Sequence, residues 1–166
     1  ATAEVAHRGI DDVRLVIVGG PSGPAGESEL TMLQTLATDL GIANRVTFTG
    51  PESHERLPAY YRGADLLLMP SRSESFGLVA AEAQACGLPV IASSVGGLPY
   101  VVADGESGIL IEGHSPSAFA ATIDKTLSSP DDHAHMRLQA IANAHKFSWE
   151  KTVDRLLELY DGIKAL

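Results

Sequence analysis

Two glutamates, Glu74 and Glu82, are separated by seven residues and lie on either side of the predicted start of a helix. The helix is predicted from Phe76 to Cys86, because this stretch is rich in alanine and Gly87 follows its end. With Glu82 in the second helical turn, the two Cα atoms are on the order of 10 Å apart. This separation does not suit an acid and a nucleophile acting on one bond. It favours two carboxylates that accept hydrogen bonds from opposite ends of one extended ligand, such as a sugar, a diphosphate and a ribose in a row.

The segment Ser75-Phe76-Gly77 opens this helix directly after an apolar strand that Pro70 closes. Free N–H groups at a helix start point outward beyond the end of the strand, and the helix dipole favours an anion there. A glycine at this point lets a ligand approach the backbone closely. The sequence therefore predicts that a phosphate binds at the start of this helix.

The two glutamates also have an ordinary structural interpretation. A glutamate before a helix and another in its second turn commonly complement the helix dipole at the protein surface. However, Glu82 is embedded in Ala80-Ala81-Glu82-Ala83-Gln84-Ala85, whose small side chains predict a well-buried helix. Since a buried carboxylate needs a hydrogen-bond partner, this context favours a binding role for Glu82.

Short apolar runs alternate with amphipathic segments, which predicts a doubly wound α/β fold with a parallel sheet and crossover helices. The predicted strands are residues 13–18, 45–48, 66–69, 89–92 and 108–111. The predicted helices are residues 30–40, a short one around 57–61, 76–86, one beginning at 116, 130–146 and one after 148. Such a sheet binds its ligand beyond the carboxyl ends of its strands. That rule points to three loops: Gly19 to Gly26, Gly50 to His54 and Pro70 to Gly77.

The composition is that of a globular domain. A net charge of −9 without a basic stripe argues against a nucleic-acid partner. The sequence contains no run of 18 apolar residues, so no membrane-spanning segment is predicted. Residues 1–10 lack the pattern of a signal peptide. The single cysteine, Cys86, suits the reducing cytoplasm, which is the expected location. The six histidines show no metal-ligand spacing, so no metal is expected.

Glu74 and Glu82 reproduce the E-x7-E motif of the retaining GT-B glycosyltransferases, and the surrounding PSRSESFGLVAAEAQACGLPVIAS resembles that family closely. The following SVGGLPYVVADGESGILIEGHSPSAFA is also similar to it. Within the family, Gly19-Gly20-Pro21-Ser22-Gly23 and Gly113-His114-Ser115-Pro116 most resemble the actinobacterial mycothiol (D-inositol-3-phosphate) glycosyltransferases. The resemblance implies a Rossmann-like domain, the C-terminal, donor-binding half of a GT-B enzyme.

The resemblance also implies a role for each matching residue. Glu82 would hold the ribose hydroxyls of the donor, and Glu74 would lie beside the transferred sugar as the catalytic residue. Backbone groups at Phe76, Gly77 and Leu78 would meet the sugar hydroxyls and the diphosphate. The other residues expected to bind the donor are Ser75, Gly19, Gly20 and Glu52, the last beside the uracil.

The expected reaction follows from the same resemblance. The donor would be UDP-N-acetylglucosamine, the acceptor would be an inositol phosphate, and the transferred sugar would keep its anomeric configuration. GT-B enzymes of this kind use no bound metal, so no cofactor is expected.

The resemblance has gaps. Family members clamp the diphosphate with an Arg and a Lys before the first strand identified here, and neither Arg8 nor Arg14 has that context. The acceptor-binding N-terminal domain has no counterpart either. We therefore expect residues 1–166 to be a single nucleotide-sugar-binding domain of a longer enzyme, without the first strand of that domain and inactive alone.

Two other functions remain open. An isomerase of the UDP-N-acetylglucosamine 2-epimerase type shares the GT-B architecture and the donor, although the E-x7-E helix favours the transferase. A non-enzymatic receiver module has a similar length, and Asp11-Asp12 resembles its acidic pair. In receivers, however, the aspartates follow the start of the first strand and a lysine closes the last strand, and neither condition holds here.

Overall fold

The structure is a computed structural model that describes residues 1–7, 13–21, 23 and 26–164. The chain divides into two compact units. The first unit comprises Ala1–Leu57 and Ser115–Lys125, and the second comprises Pro58–His114 and Thr126–Leu166.

Within the described residues, the helices are α1 (Thr2–His7), α2 (Gly26–Asp39), α3 (Leu57–Gly63), α4 (Leu78–Ala85), α5 (Leu98–Val101), α6 (Pro116–Leu127), α7 (Pro130–Ala144) and α8 (Trp149–Lys164). The strands are β1 (Leu15–Val18), β2 (Val46–Gly50), β3 (Leu67–Met69), β4 (Val90–Ser93) and β5 (Gly108–Ile111). Short 3-10 turns occupy Ala43–Arg45, His54–Arg56 and His145–Phe147.

In the first unit, β1 and β2 pair in parallel, with Ile17 opposite Phe48. A small apolar cluster of Ala3, Ala37 and Ile42 joins α1 and α2. Because parallel strands run in one direction, the loops that follow β1 and β2 leave the sheet at the same edge.

The second unit contains a three-stranded parallel sheet in the order β3-β4-β5, with Met69 opposite Ala92 and Ser93 opposite Ile111. All four residues of β4 are buried, as expected for the central strand of a parallel sheet. Helix α4 packs against α7, and α5 follows the loop after β4. The sheet therefore directs the loops after β3 and β4, which precede α4 and α5, to its carboxyl edge.

Parallel pairing in both units confirms the predicted α/β class. Each predicted strand is present, with its ends within two residues of the prediction. Helices α1 and α5 were not predicted, because segments of six and four residues are too short to show a helical apolar period. No helix in the described part of the chain has the length and apolar character needed to cross a membrane.

Candidate functional site

The loop that joins β3 to α4 carries Glu74, and α4 itself carries Glu82. Glu82 is the fifth residue of α4 and therefore lies in the second helical turn, as predicted. Both glutamates are half-buried. The two carboxylates thus flank the start of one helix, and the predicted elements around them are present.

Helix α4 begins at Leu78, two residues later than predicted, because Gly77 precedes it with φ +101°. That backbone angle lies outside the helical range and is one that glycine adopts readily. No side chain caps this helix start. Within the described residues, the amide groups of Leu78 and Val79 donate to no acceptor. They are unsatisfied donors at the positive end of a helix, the arrangement that binds anions.

Gly77 has a second structural role. A Cβ atom built on it would lie 3.0 Å from Cδ2 of Leu98, a fully buried side chain of α5. The close approach of α5 therefore leaves little room for a side chain at position 77, whose backbone angle already favours glycine. From the sequence, this glycine is expected only to let a ligand approach the backbone.

The loop after β4 supports the loop that carries Glu74. The amide of Gly97 donates to the main-chain oxygen of Glu74 over 3.0 Å. A Cβ on Gly97 would lie 2.6 Å from three backbone atoms of Ser75 and Phe76, and a Cβ on Gly96 would overlap the oxygen of Glu74. The two glycines thus let one backbone pack directly on the other. Although Gly96-Gly97 contributed to the family resemblance, no pattern in the sequence predicts this contact.

The aromatic ring of Phe76 packs against two neighbouring rings. Its centroid lies 6.4 Å from that of Tyr100 and 5.9 Å from that of Phe147. Tyr100 and Phe147 also contact each other edge to face at 5.6 Å. Because the side chain of Phe76 is held in this cluster, its main chain is what remains at the helix start for a ligand.

The beginning of the same loop is held by a histidine. Nε2 of His114, just beyond β5, lies 2.9 Å from the main-chain oxygen of Ser71 and donates a hydrogen bond to it. In the sequence, His114 is visible only as part of the family resemblance and as one of six histidines without metal-ligand spacing. Together with Gly97, it fixes the loop at Ser71 and at Glu74.

Helix α4 is anchored by a buried polar network on the side away from its exposed residues. The side chain of Gln84 is fully buried and donates to the main-chain oxygen of Val101 over 3.1 Å. Its own amide oxygen accepts a hydrogen bond of 2.8 Å from Asn143 of α7. Buried amides whose groups are paired fix one arrangement of the helices around them, so Gln84 sets the orientation in which α4 presents Glu82.

Helix α4 is less buried than predicted, since Leu78 and Val79 are exposed and Glu82 is only half-buried. The hydrogen-bond partner of Glu82 is a tyrosine of the protein itself. The hydroxyl of Tyr61, on α3, donates to Oε2 of Glu82 over 3.2 Å. The pKa of Tyr61 is raised from 10.0 to about 12, mainly by burial of the side chain and secondly by the negative charge of Glu82. The hydroxyl is therefore a protonated donor at neutral pH. The sequence showed Tyr61 only as part of a short helix.

The other predicted donor-binding residues lie in the first unit. The amide of Gly19 donates to the oxygen of Gly50 over 3.0 Å, and a Cβ on Gly20 would lie 2.7 Å from Cγ of Pro51. The loops after β1 and β2 are therefore in contact. Glu52 forms an ion pair of 3.1 Å with Arg56, so its carboxylate is already engaged. Arg8, Ser22, Pro24 and Ala25 lie outside the described residues.

The chain matches the sequence family described as glycosyl transferases group 1 over residues 1–146. It is 49% identical over 150 residues to D-inositol 3-phosphate glycosyltransferase of Thermomonospora curvata, an alignment that covers 90% of this chain and 35% of that protein. The protein of the same name from Mycobacteroides abscessus is 52% identical over 148 residues, which cover 89% of this chain and 33% of the relative. The chain spans about a third of the length of these curated relatives.

Two solved structures are similar over nearly the whole chain. Sucrose-phosphate synthase from Thermosynechococcus elongatus is 34% identical with a TM-score of 0.81, and the match covers 99% of this chain and 42% of that one. Anabaena HepE in complex with UDP is 25% identical with a TM-score of 0.85, and the match covers 99% and 44%. These likenesses confirm the predicted GT-B type of α/β fold. The family match, the fold and the E-x7-E geometry agree, and the chain belongs to the glycosyl transferases group 1 family.

Proposed function

We propose that this chain binds the nucleotide-sugar donor of a retaining glycosyltransferase. The observation that carries the proposal is the start of α4, where the free amide groups of Leu78 and Val79 lie between two half-buried glutamates. A diphosphate at these amides would place its sugar towards Glu74 and its ribose towards Glu82. This is the order in which the three groups follow one another in a nucleotide sugar.

The identity of the substrates is the second part of the proposal. UDP is supported as the nucleotide by Anabaena HepE, whose structure contains UDP. An inositol phosphate is supported as the acceptor by the relatives named D-inositol 3-phosphate glycosyltransferase. We assign N-acetylglucosamine as the sugar from the resemblance of Gly19–Gly23 and Gly113–Pro116 to the mycothiol enzymes.

In the proposed reaction, the bond between the anomeric carbon and the β-phosphate oxygen breaks, and the acceptor oxygen forms a bond to the same face of the sugar. The proton of the acceptor hydroxyl passes to the departing β-phosphate oxygen. Negative charge grows on the leaving diphosphate. The amide groups at the start of α4 stabilise that charge without having to reorient, and the helix dipole adds to their effect. Glu74 lies at the sugar end and stabilises positive charge that develops at the anomeric carbon. No metal ion is needed in this scheme.

The remainder of the enzyme completes the site in this proposal. Since the chain spans about a third of its curated relatives, we assign acceptor binding and a cationic clamp on the diphosphate to the other parts of the protein. The chain alone then binds the donor weakly and transfers nothing. A lone cysteine among 166 residues is consistent with an enzyme of the cytoplasm.

The test is a product assay on the full-length enzyme. Incubation with UDP-N-acetylglucosamine and inositol 3-phosphate should release UDP and form a glycosylated inositol phosphate whose anomeric configuration is that of the donor. Release of UDP without any acceptor-derived product would contradict the transferase. An inverted anomeric centre would contradict retention while leaving transfer intact.

The same assay distinguishes the transferase from an isomerase. A 2-epimerase would change the configuration at C2 of the sugar when no acceptor is present, which nuclear magnetic resonance of the nucleotide sugar detects. The transferase leaves the donor unchanged until inositol 3-phosphate is added.

A further inference from the structure

The hydrogen bond between Tyr61 and Glu82 joins two different helices of the second unit. Tyr61 belongs to α3, and its residue is only 9% exposed, whereas Glu82 is half-buried in α4. The hydroxyl donates to Oε2 over 3.2 Å. Among the described residues, Oε1 of Glu82 accepts no hydrogen bond. The two oxygens of one carboxylate are therefore in different situations: one is occupied by the protein and the other is open.

This asymmetry matters for what the carboxylate can bind. A glutamate side chain on a helix has several rotamers, and choosing one of them on ligand binding costs conformational entropy. A hydrogen-bond donor of the protein that already holds one oxygen removes part of that cost, because the carboxylate is oriented before the ligand arrives. Since the ring of Tyr61 is buried, its hydroxyl has little freedom to move with a ligand.

We propose that Tyr61 is a positioning residue that holds Oε2 of Glu82 so that Oε1 accepts a ribose hydroxyl of the donor nucleotide. The proposal rests on the function proposed above and extends it to selectivity. Tyr61 contacts no ligand in this scheme. It acts through Glu82 and makes the site prefer ribonucleotides to deoxyribonucleotides.

A purely structural role makes a different prediction. If the hydrogen bond only tied α3 to α4, its loss would loosen the site for every nucleotide alike. The affinity ratio of UDP to each deoxynucleotide would then stay the same. If Tyr61 orients Glu82, its loss would weaken UDP and leave nearly unchanged the deoxynucleotide that lacks the hydroxyl bound by Glu82. That ratio is the quantity that separates the two roles.

The experiment is calorimetric titration of the full-length enzyme with UDP, 2′-deoxy-UDP and 3′-deoxy-UDP. The parent should bind UDP more tightly than at least one of the two deoxynucleotides. Tyr61→Phe, which removes only the hydroxyl, should reduce that preference about fivefold, the factor expected for one net hydrogen bond. Glu82→Ala should abolish it, and Tyr61→Phe should have no further effect in the Glu82→Ala background. Tyr160→Phe, at an exposed tyrosine of α8, is the matched control and should retain the parent's preference.

The outcomes separate the two proposals. Equal weakening of all three nucleotides by Tyr61→Phe, or no change, would overturn the positioning role while the proposed function stands. A parent enzyme that binds no UDP would overturn the proposed function itself. A preference for ribose that survives Glu82→Ala would remove Glu82 from the ribose site, and the role of Tyr61 with it.

Discussion

The amide of Gly97 donates to the main-chain oxygen of Glu74 over 3.0 Å, so the loop after β4 directly supports the loop that carries the first glutamate of the motif. The contact is backbone on backbone, since a Cβ at Gly96 or Gly97 would collide with the main chain of the Glu74 loop. The position of the main chain at Glu74 is therefore set in part by two residues that have no side chain. This relationship makes the glycine pair part of the site without any contact with a ligand.

Replacing Gly97 with alanine should displace the Glu74 loop. The new Cβ would lie 2.6 Å from the Cα and oxygen of Phe76 and from the oxygen of Ser75, so the backbone must shift. We expect the transfer rate of the full-length enzyme to fall roughly tenfold to one hundredfold, because small misplacements at a reacting centre are costly. Steady-state kinetics with both substrates measures the loss.

The matched control for this variant is Gly63→Ala at the end of α3, where an added Cβ has no neighbour within 4 Å. That enzyme should transfer at the parent rate. Parent-like turnover by Gly97→Ala would show that the glycine pair does not position Glu74.

Replacing Gly77 with alanine should destabilise the fold. The angle φ of +101° disfavours any residue with a Cβ, and the new atom would lie 3.0 Å from Leu98. We expect the free energy of unfolding to fall by about 1–3 kcal/mol, from backbone strain and overpacking together. Urea unfolding of the 166-residue chain gives this value. Gly162→Ala, inside α8 with open space around it, should instead raise stability slightly. Equal stabilities of Gly77→Ala and the parent would refute the strain.

Replacing the two motif glutamates should have different effects on the affinity for UDP. Glu82→Ala should weaken UDP binding to the full-length enzyme by roughly 1.5–3 kcal/mol, the range of charge-assisted hydrogen bonds. Glu74→Ala should leave the affinity for UDP nearly unchanged and lower the transfer rate, because Glu74 is assigned to the sugar. Isothermal titration calorimetry with UDP and kinetic assays provide the two readouts. The reverse order of effects on UDP affinity would exchange the assigned roles.

Much of the fold was predictable because its signals are local. The apolar run ending at Met69 and the stop at Pro70 predict β3, and the alanines around Glu82 predict α4. The position of Glu82 in the second turn then follows from helical geometry alone. The E-x7-E segment is therefore predicted from the sequence alone to lie at the start of a helix after a strand.

The supports of the site were not predictable because they depend on tertiary contacts. Tyr61 and Glu82 are 21 residues apart, and Gln84 and Asn143 are 59 residues apart. No periodicity in the sequence relates such pairs. The glycines at positions 96 and 97 were visible, but only the packing of one loop on another explains why a side chain is excluded there.

The last prediction concerns the pH dependence of stability. The pKa of Tyr61 is about 12 in the folded protein against 10.0 for an unperturbed tyrosine, mainly because the ring is buried and next because Glu82 is negative. A raised folded pKa means that its contribution to stability is fully present below pH 10 and is lost as the pH rises towards 12. In that window the unfolded chain releases the tyrosine proton while the folded chain retains it. The parent should therefore lose more stability than Tyr61→Phe, which has no proton to release at that position.

Urea unfolding of the 166-residue chain and the variant at pH 8 and at pH 11 measures the difference, and all other titrating groups are common to both proteins. A difference between parent and variant that stays constant from pH 8 to pH 11 would show that Tyr61 ionises as freely in the folded chain as in the unfolded one.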